Sequence, residues 1–292
     1  MRTNDMIRKT VLTPFFILFM LFANTSMAAS LNDTMIDLEK QTSGDIGVAV
    51  LDTKTNQIWS YKGNQRFPMM STFKTLACAK MLHDADKKII NKKTETAIAQ
   101  KDLIPWSPIT EKYVGKSIST EKACEATMLM SDNTAANIVL QQIGSPSSLT
   151  AFLRLMGDST TQLDRIEPTL NEAKKGDIRD TTTPIAMVHT INKLLLGNTL
   201  TTTDKVTLKK WMMDNKVSDP LLRSILPIHW SIADRSGAGG YGSRGITAII
   251  WNEHRLPLII SIYLTQTDLT LAERNDIIVH VGSALFTQFN VK

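Results

Sequence analysis

A hydroxyl and an amine stand three residues apart in Ser71-Thr72-Phe73-Lys74. On a helix, positions i and i+3 share a face, so this spacing brings the lysine nitrogen within hydrogen-bond reach of the serine oxygen. That is one way to activate a nucleophile without histidine. Further along, Ser131-Asp132-Asn133 supplies a second hydroxyl that could carry a proton onward, and Arg235-Ser236-Gly237 follows on a late strand. The chemistry suggested is acyl transfer by a serine enzyme.

Each piece has a competitor. Ser119-Thr120-Glu121-Lys122 repeats the serine–lysine spacing, but Ser119 precedes an apolar-periodic run with Glu121 in its first turn, the pattern of a helix N-cap. The ordered set of motifs, rather than Ser71 alone, is what is specific. Gly237-Ala238-Gly239-Gly240-Tyr241-Gly242 is formally a G-x-G-x-x-G, yet a β-type run, Arg244 to Ile249, follows it where a dinucleotide site needs a helix. Its glycines are read instead as a strand end where backbone must approach closely. His83, His189, His229, His254 and His280 form no H-E-x-x-H, and no serine lies in a G-x-S-x-G elbow. No metal and no cofactor is expected.

The elements that must position these groups are readable. A helix is expected over Leu31 to Gln41, then a hairpin of Ile46–Leu51 and Ile58–Tyr61 around Asp52-Thr53-Lys54-Thr55-Asn56. From Ser71 to about Asn215 the apolar spacing turns helical. Strands return at Ile232–Arg235, Ile246–Trp251 and Leu258–Leu264, and a last helix runs from about Leu271 to Phe289. The predicted class is α+β in two lobes: an antiparallel sheet of about five strands built from both chain ends (29–68 with 214–292), and an all-helical lobe (69–213). A site between lobes is the natural expectation.

Residues 1–28 read as a cleaved signal peptide. Arg2, Arg8 and Lys9 precede an apolar run from Val11 to Ala23, and Ser26-Met27-Ala28 offers small residues at −3 and −1. A retained membrane anchor is the alternative, and the short apolar run disfavours it. The whole chain carries 33 Lys+Arg against 28 Asp+Glu; without the first 28 residues the excess falls to +3, in mixed rather than blocked charge. Neither nucleic acid nor stable membrane association is implied, and a soluble exported monomer is expected. In an oxidising compartment, Cys78 and Cys124 read as a disulfide, with two separate buried thiols as the alternative.

The ordered motifs, with Glu167-Pro168-Thr169-Leu170-Asn171 between the second and third, make the chain resemble the class A serine β-lactamases over its whole mature length. Arg235-Ser236-Gly237 in place of the usual K-T-G resembles the carbenicillin-hydrolysing subgroup. The resemblance implies a periplasmic hydrolase of penicillins. Ser71 would be the nucleophile, Ser131 the proton donor to the lactam nitrogen, and Lys74 or Glu167 through a water the acylation base. Glu167 with Asn171 would activate the deacylating water from an Ω-loop whose neck Arg165 and Asp180 could close. Backbone N–H groups of Ser71 and Ala238 would form the oxyanion hole. Arg235, Ser236, Gly237 and Arg244 would meet the substrate carboxylate, with Arg235 as a planar two-point fork. Asn133 would bind the acylamido side chain, and Asp132 would be structural. Trp106 is read as either a cleft wall or core. Met70 and Gly239 stand where some relatives carry a disulfide associated with carbapenem hydrolysis, so that activity is not expected. Gly239 also resembles enzymes with limited activity on bulky oxyimino cephalosporins. The competing functions are a D,D-peptidase or a β-lactam sensor, which would acylate without turnover.

Overall fold

The computed structural model describes residues 30–292, so the expected signal peptide lies outside the described residues. Helix α1 (Leu31–Thr42) begins at a capping box in which Ser30 and Asp33 satisfy each other's backbone amides, and it buries Leu31, Met35 and Leu38 along one stripe. Strands β1 (Asp45–Asp52) and β2 (Gln57–Tyr61) form the expected hairpin. A two-residue strand β3 (Phe67–Pro68) leads into a 3₁₀ turn, Met70–Thr72, that runs straight into α2 (Phe73–Asp86).

From Phe73 to Leu82 every residue of α2 is buried. A helix buried on all sides is the axis of a lobe, not its surface. Around it pack α3 (Thr120–Met130), α4 (Asn133–Gln142), α5 (Pro146–Leu155), α6 (Pro184–Leu195) and α7 (Thr202–Met213). Ser119 accepts from the Lys122 amide at 3.3 Å, so the second serine–lysine match is a helix cap, as its flanking residues indicate. The middle of the chain is not purely helical. Strand β4 (Glu95–Ala97) pairs with β5 (Ser117–Ser119), and β3 pairs with β6 (Thr181–Thr182). These ladders are two or three residues long, too short to show the alternation that reveals a strand.

The late strands are β7 (Ser231–Ala238), β8 (Arg244–Asn252) and β9 (Arg255–Thr265). The five-stranded sheet runs β2-β1-β9-β8-β7, antiparallel throughout, with β1 against β9 joining the two chain ends. Alternate β1 residues serve two cores. Ile46, Val48 and Val50 pack under α1 and the C-terminal helix α8 (Leu271–Gln288), while Ala49 and Leu51 join the core of the helical lobe. Among the described residues no helix is long and apolar enough to cross a membrane.

Cys78 on α2 and Cys124 on α3 are disulfide-bonded, with Cα atoms 5.6 Å apart, so the reading as two separate thiols is set aside. The bond closes a 46-residue separation, which in the chain-entropy account stabilises the fold by up to about 4 kcal/mol. Replacing both cysteines by serine is expected to lower the denaturant midpoint by an equivalent of about 2–4 kcal/mol. An unchanged midpoint in urea titration contradicts this.

Candidate active site

Ser71 sits in the 3₁₀ turn that opens α2, where unpaired N–H groups and the helix dipole favour negative charge. The residue before it, Met70, has φ 49°, a left-handed conformation unusual for a side chain of its size. Three glycines make room for it. A Cβ on Gly237 would lie 2.8 Å from Met70 Cβ and 2.6 Å from the Ser71 amide nitrogen; one on Gly239 would lie 3.1 Å from Met70 Cγ, and one on Gly245 3.1 Å from Met70 Cε. The glycine-rich run thus lets β7 press against the nucleophile's backbone, and β8 follows it, as the sequence pattern implies.

Lys74, on the first turn of α2, is fully buried. Its Nζ donates to Asn133 Oδ1 at 2.6 Å, to the Ser131 carbonyl at 2.8 Å and to Ser131 Oγ at 3.2 Å, and it lies 3.1 Å from Glu167 Oε1. Ser71 Oγ is not among these hydrogen-bond partners, contrary to the expectation from i, i+3 spacing. The acceptors on two other segments, Ser131–Asn133 and the loop of Glu167, draw the amine away from its own helix. Burial lowers the Lys74 pKa to about 8; Glu167 opposes the shift and Arg235 adds to it.

The loop of residues 165–180 carries Glu167, whose Oε2 accepts from Asn171 Nδ2 at 2.5 Å. Among the described residues Asn171 Oδ1 is buried without a hydrogen-bond partner, an acceptor a water could serve, whereas Glu167 Oε1 faces the Lys74 ammonium. Asn137 holds the Glu167 backbone at both ends, donating to its carbonyl and accepting from its amide, each at 2.9 Å. Sequence reasoning missed Asn137, although it lies one turn after Asn133 on the same face of α4. The loop's neck is closed by Arg165 Nε on Asp180 Oδ2 at 2.5 Å. Asp180 is fully buried and also accepts the Asp164 and Arg165 amides, so the pair is not an exposed surface bridge.

Asp132 is structural, as expected. Its buried carboxylate caps α4 through the Ala135 amide and takes the amides of Ile109 and Thr110 and the Thr110 hydroxyl. This ties down the loop bearing Trp106, which is 59% exposed and borders the cleft, so the core reading of Trp106 is discarded. Asn133 Nδ2 donates to the Pro105 carbonyl at 2.8 Å.

Arg235 departs most from expectation. It is fully buried, with Nη1 on the Met128 carbonyl at 2.8 Å and the Thr127 carbonyl at 3.4 Å, and Nε on the Ser236 carbonyl at 3.3 Å. The guanidinium caps the last turn of α3, where carbonyls lack helical partners. A two-point grip on a ligand is therefore not available from this arrangement; Nη2 alone is left unpartnered. Burial lowers its pKa to about 10, with Asp234 opposing and Arg244 adding. Arg244 donates from Nε to Asn275 Oδ1 at 2.8 Å and from Nη1 to the Gly237 carbonyl at 3.1 Å; burial, then Arg274, lowers its pKa to about 10. Both stay cationic at neutral pH.

A cavity of about 600 Å³ is bordered by Ser71, Ser131, Asn133 and Asn171 on one side and by Arg235, Ser236, Gly237, Ala238 and Arg244 on the other. The groups singled out by sequence thus meet at one cleft, with Lys74 and Glu167 buried at its base. Lys216, Val217, Pro220 and Leu271 also border it without having been anticipated. Among the described residues no cluster of three or more His, Cys, Asp or Glu is placed to hold a metal ion.

The β-lactamase enzyme family model matches residues 28–289. β-Lactamase CARB-4 of Pseudomonas aeruginosa is 52% identical over 271 residues, 93% of this chain and 94% of that protein. Among solved structures, the chromosome-encoded β-lactamase of Vibrio parahaemolyticus superposes with a TM-score of 0.88 at 54% identity, covering 90% of this chain and all of the other. A reconstructed class A β-lactamase, the last common ancestor of Gram-negative bacteria, gives 0.87 at 42% identity, over 89% of this chain and 100% of the other.

Because Glu167 raises the Lys74 pKa, removing its charge is expected to lower that pKa below about 8. In Glu167→Gln, the Lys74 Nζ resonance followed by NMR should titrate at lower pH than in the parent. An equal or higher midpoint refutes the electrostatic account.

Proposed function

Since this chain belongs to the β-lactamase enzyme family, we propose that Ser71, Lys74, Ser131 and Glu167 carry out its reaction. The protein is a class A serine β-lactamase and hydrolyses the cyclic amide of penicillins. Ser71 Oγ attacks the lactam carbonyl carbon. The serine proton has two candidate acceptors: Lys74, whose pKa, lowered by burial to about 8, raises its neutral fraction, and Glu167 through a water. The N–H groups of Ser71 and Ala238 would hold the developing oxyanion, each donor typically worth about 3–4 kcal/mol. As the C–N bond breaks, Ser131 hands its proton to the lactam nitrogen and recovers one from the Lys74 side.

The second step separates a hydrolase from a protein that stays acylated. A water attacks the ester carbonyl and its proton passes to Glu167; as the ester C–O bond breaks, Ser71 Oγ takes a proton back by way of Lys74 and leaves as the alcohol, and Glu167 returns its proton to Lys74. The observation that carries this reading is Glu167, brought to 3.1 Å from Lys74 and paired with Asn171, whose own Oδ1 is left as a buried acceptor for a water. A positioned general base typically contributes 10²–10⁴-fold.

Substrate recognition follows from charge. Ser236 and Arg244 would meet the carboxylate of the fused ring, with Arg235 contributing Nη2 and a fixed positive potential. Carbenicillin carries a second carboxylate, which that potential favours, and it is proposed among the substrates. Asn133 would take the acylamido group against Trp106. Export to the periplasm as a monomer after cleavage at Ala28 fits this role.

Glu167→Ala is expected to be acylated by benzylpenicillin and to stay so, giving a stable adduct in intact-protein mass spectrometry. Turnover at the parent rate removes Glu167 from the deacylation step. Arg235→Lys is expected to lower kcat/KM for carbenicillin about 3- to 10-fold more than for benzylpenicillin. An unchanged ratio removes the role given to the guanidinium.

A further inference from the structure

Behind Ser236 runs a chain of hydrogen bonds anchored at a buried carboxylate and directed, from Asn215 onward, toward the cleft. It starts at Asp234, wholly buried on β7, whose carboxylate accepts from Arg223 Nε at 3.0 Å and Nη2 at 3.1 Å. Asp234 Oδ1 also accepts from Asn215 Nδ2 at 2.8 Å, while Asn215 Oδ1 accepts from the Val217 amide at 3.1 Å. With an acceptor facing its nitrogen and a donor facing its oxygen, the Asn215 amide has one workable orientation. Nδ2 also donates to Ser218 Oγ at 2.6 Å, a closer approach than its 3.3 Å to the Asp234 carbonyl. Ser218, its oxygen so engaged, turns its only hydrogen to Ser236 Oγ at 2.9 Å.

Ser236 Oγ thereby accepts one hydrogen bond and keeps its own hydrogen to donate. Among the described residues that hydrogen finds only the Val217 carbonyl, at 3.4 Å, beyond the usual range for a hydroxyl donor. Ser236 and Val217 border the cleft, whereas Asn215 and Ser218 are buried and do not. A carboxylate in the cleft offers this hydroxyl a shorter, charge-assisted bond, and each donor upstream polarises the next.

We infer that Asn215 and Ser218 are positioning residues for the substrate anion, holding Ser236 Oγ from within so that its own O–H is presented to the carboxylate. This rests on the reading of Ser236 as a carboxylate donor and adds how that donor is set. The sequence offers no sign of it: the two residues stand in the loop between α7 and a 3₁₀ turn at Leu222–Ile225 and belong to no motif, and only folding brings them beneath β7.

The test compares benzylpenicillin with its methyl ester, which lacks the anion. In Ser218→Ala, kcat/KM for the acid is expected to fall about 5- to 20-fold and for the ester less than about two-fold. Ser218→Thr, which keeps the hydroxyl, should restore the acid-to-ester ratio, and Asn215→Ala, which breaks the chain one link earlier, should lower it as Ser218→Ala does. On a Ser236→Ala background, Ser218→Ala should add nothing. Equal losses on acid and ester, or losses that add across the double variant, overturn the inference, since packing alone predicts them. A parental acid-to-ester ratio in Ser236→Ala by itself removes the underlying reading of Ser236, and the positioning role with it.

Discussion

One buried ammonium organises this molecule. Taking a lysine head group out of water costs several kcal/mol unless acceptors replace its hydration. Lys74 finds them on the turn after α3, at the start of α4 and on the 165–180 loop. Two segments distant in sequence, Ser131–Asn133 and the loop of Glu167, must converge on the opening turn of α2 before that residue can be buried. Their convergence is also what gathers two hydroxyls, an amine and a carboxylate at the base of one cleft. The residual cost is visible in the lowered Lys74 pKa, which is the property a proton acceptor near neutral pH requires.

Around this centre, buried polar side chains do what regular secondary structure cannot do for loops. Asp132 serves the amides of the loop bearing Trp106, Asn137 serves both backbone groups of Glu167, and Asp180 serves the amides at the neck of the 165–180 loop. Each loop would otherwise bury unpaired N–H and C=O groups, at roughly 1–3 kcal/mol apiece. The same bonds fix the loops in place. Precision at the catalytic groups therefore comes from satisfying backbone, and a rigid site needs no larger core than the two that the sheet divides.

Legibility followed the range of the interaction. The hairpin of β1 and β2, the N-cap at Ser119 and the antiparallel return of the chain ends are set by local periodicity and short turns, and all stand where the pattern puts them. Motif order brought Ser71, Ser131, Glu167 and Ser236 into one site. What escaped was set by partners far away in sequence: the hydrogen bonds of Lys74, the two-sided hold of Asn137, and the chain through Asn215 and Ser218. Residue type showed that Arg235 was a cation on a strand. It could not show that the strand lies beneath the last turn of α3, because that depends on how the lobes pack.

Arg235 shows why an arginine differs there from the lysine more usual in relatives. An ammonium is a compact point charge with three donors, whereas the guanidinium spreads five over a rigid plane. Three directions of that plane are already engaged by or aimed at the carbonyls of Met128, Thr127 and Ser236. These bonds tie the cation to the end of the helix that delivers Ser131, so charge and proton donor are held in one unit. Nη2 remains without a partner in the free site. A free donor on a desolvated charge favours the approach of an anion, so the burial that lowers the Arg235 pKa and the attraction for a carboxylate have one origin.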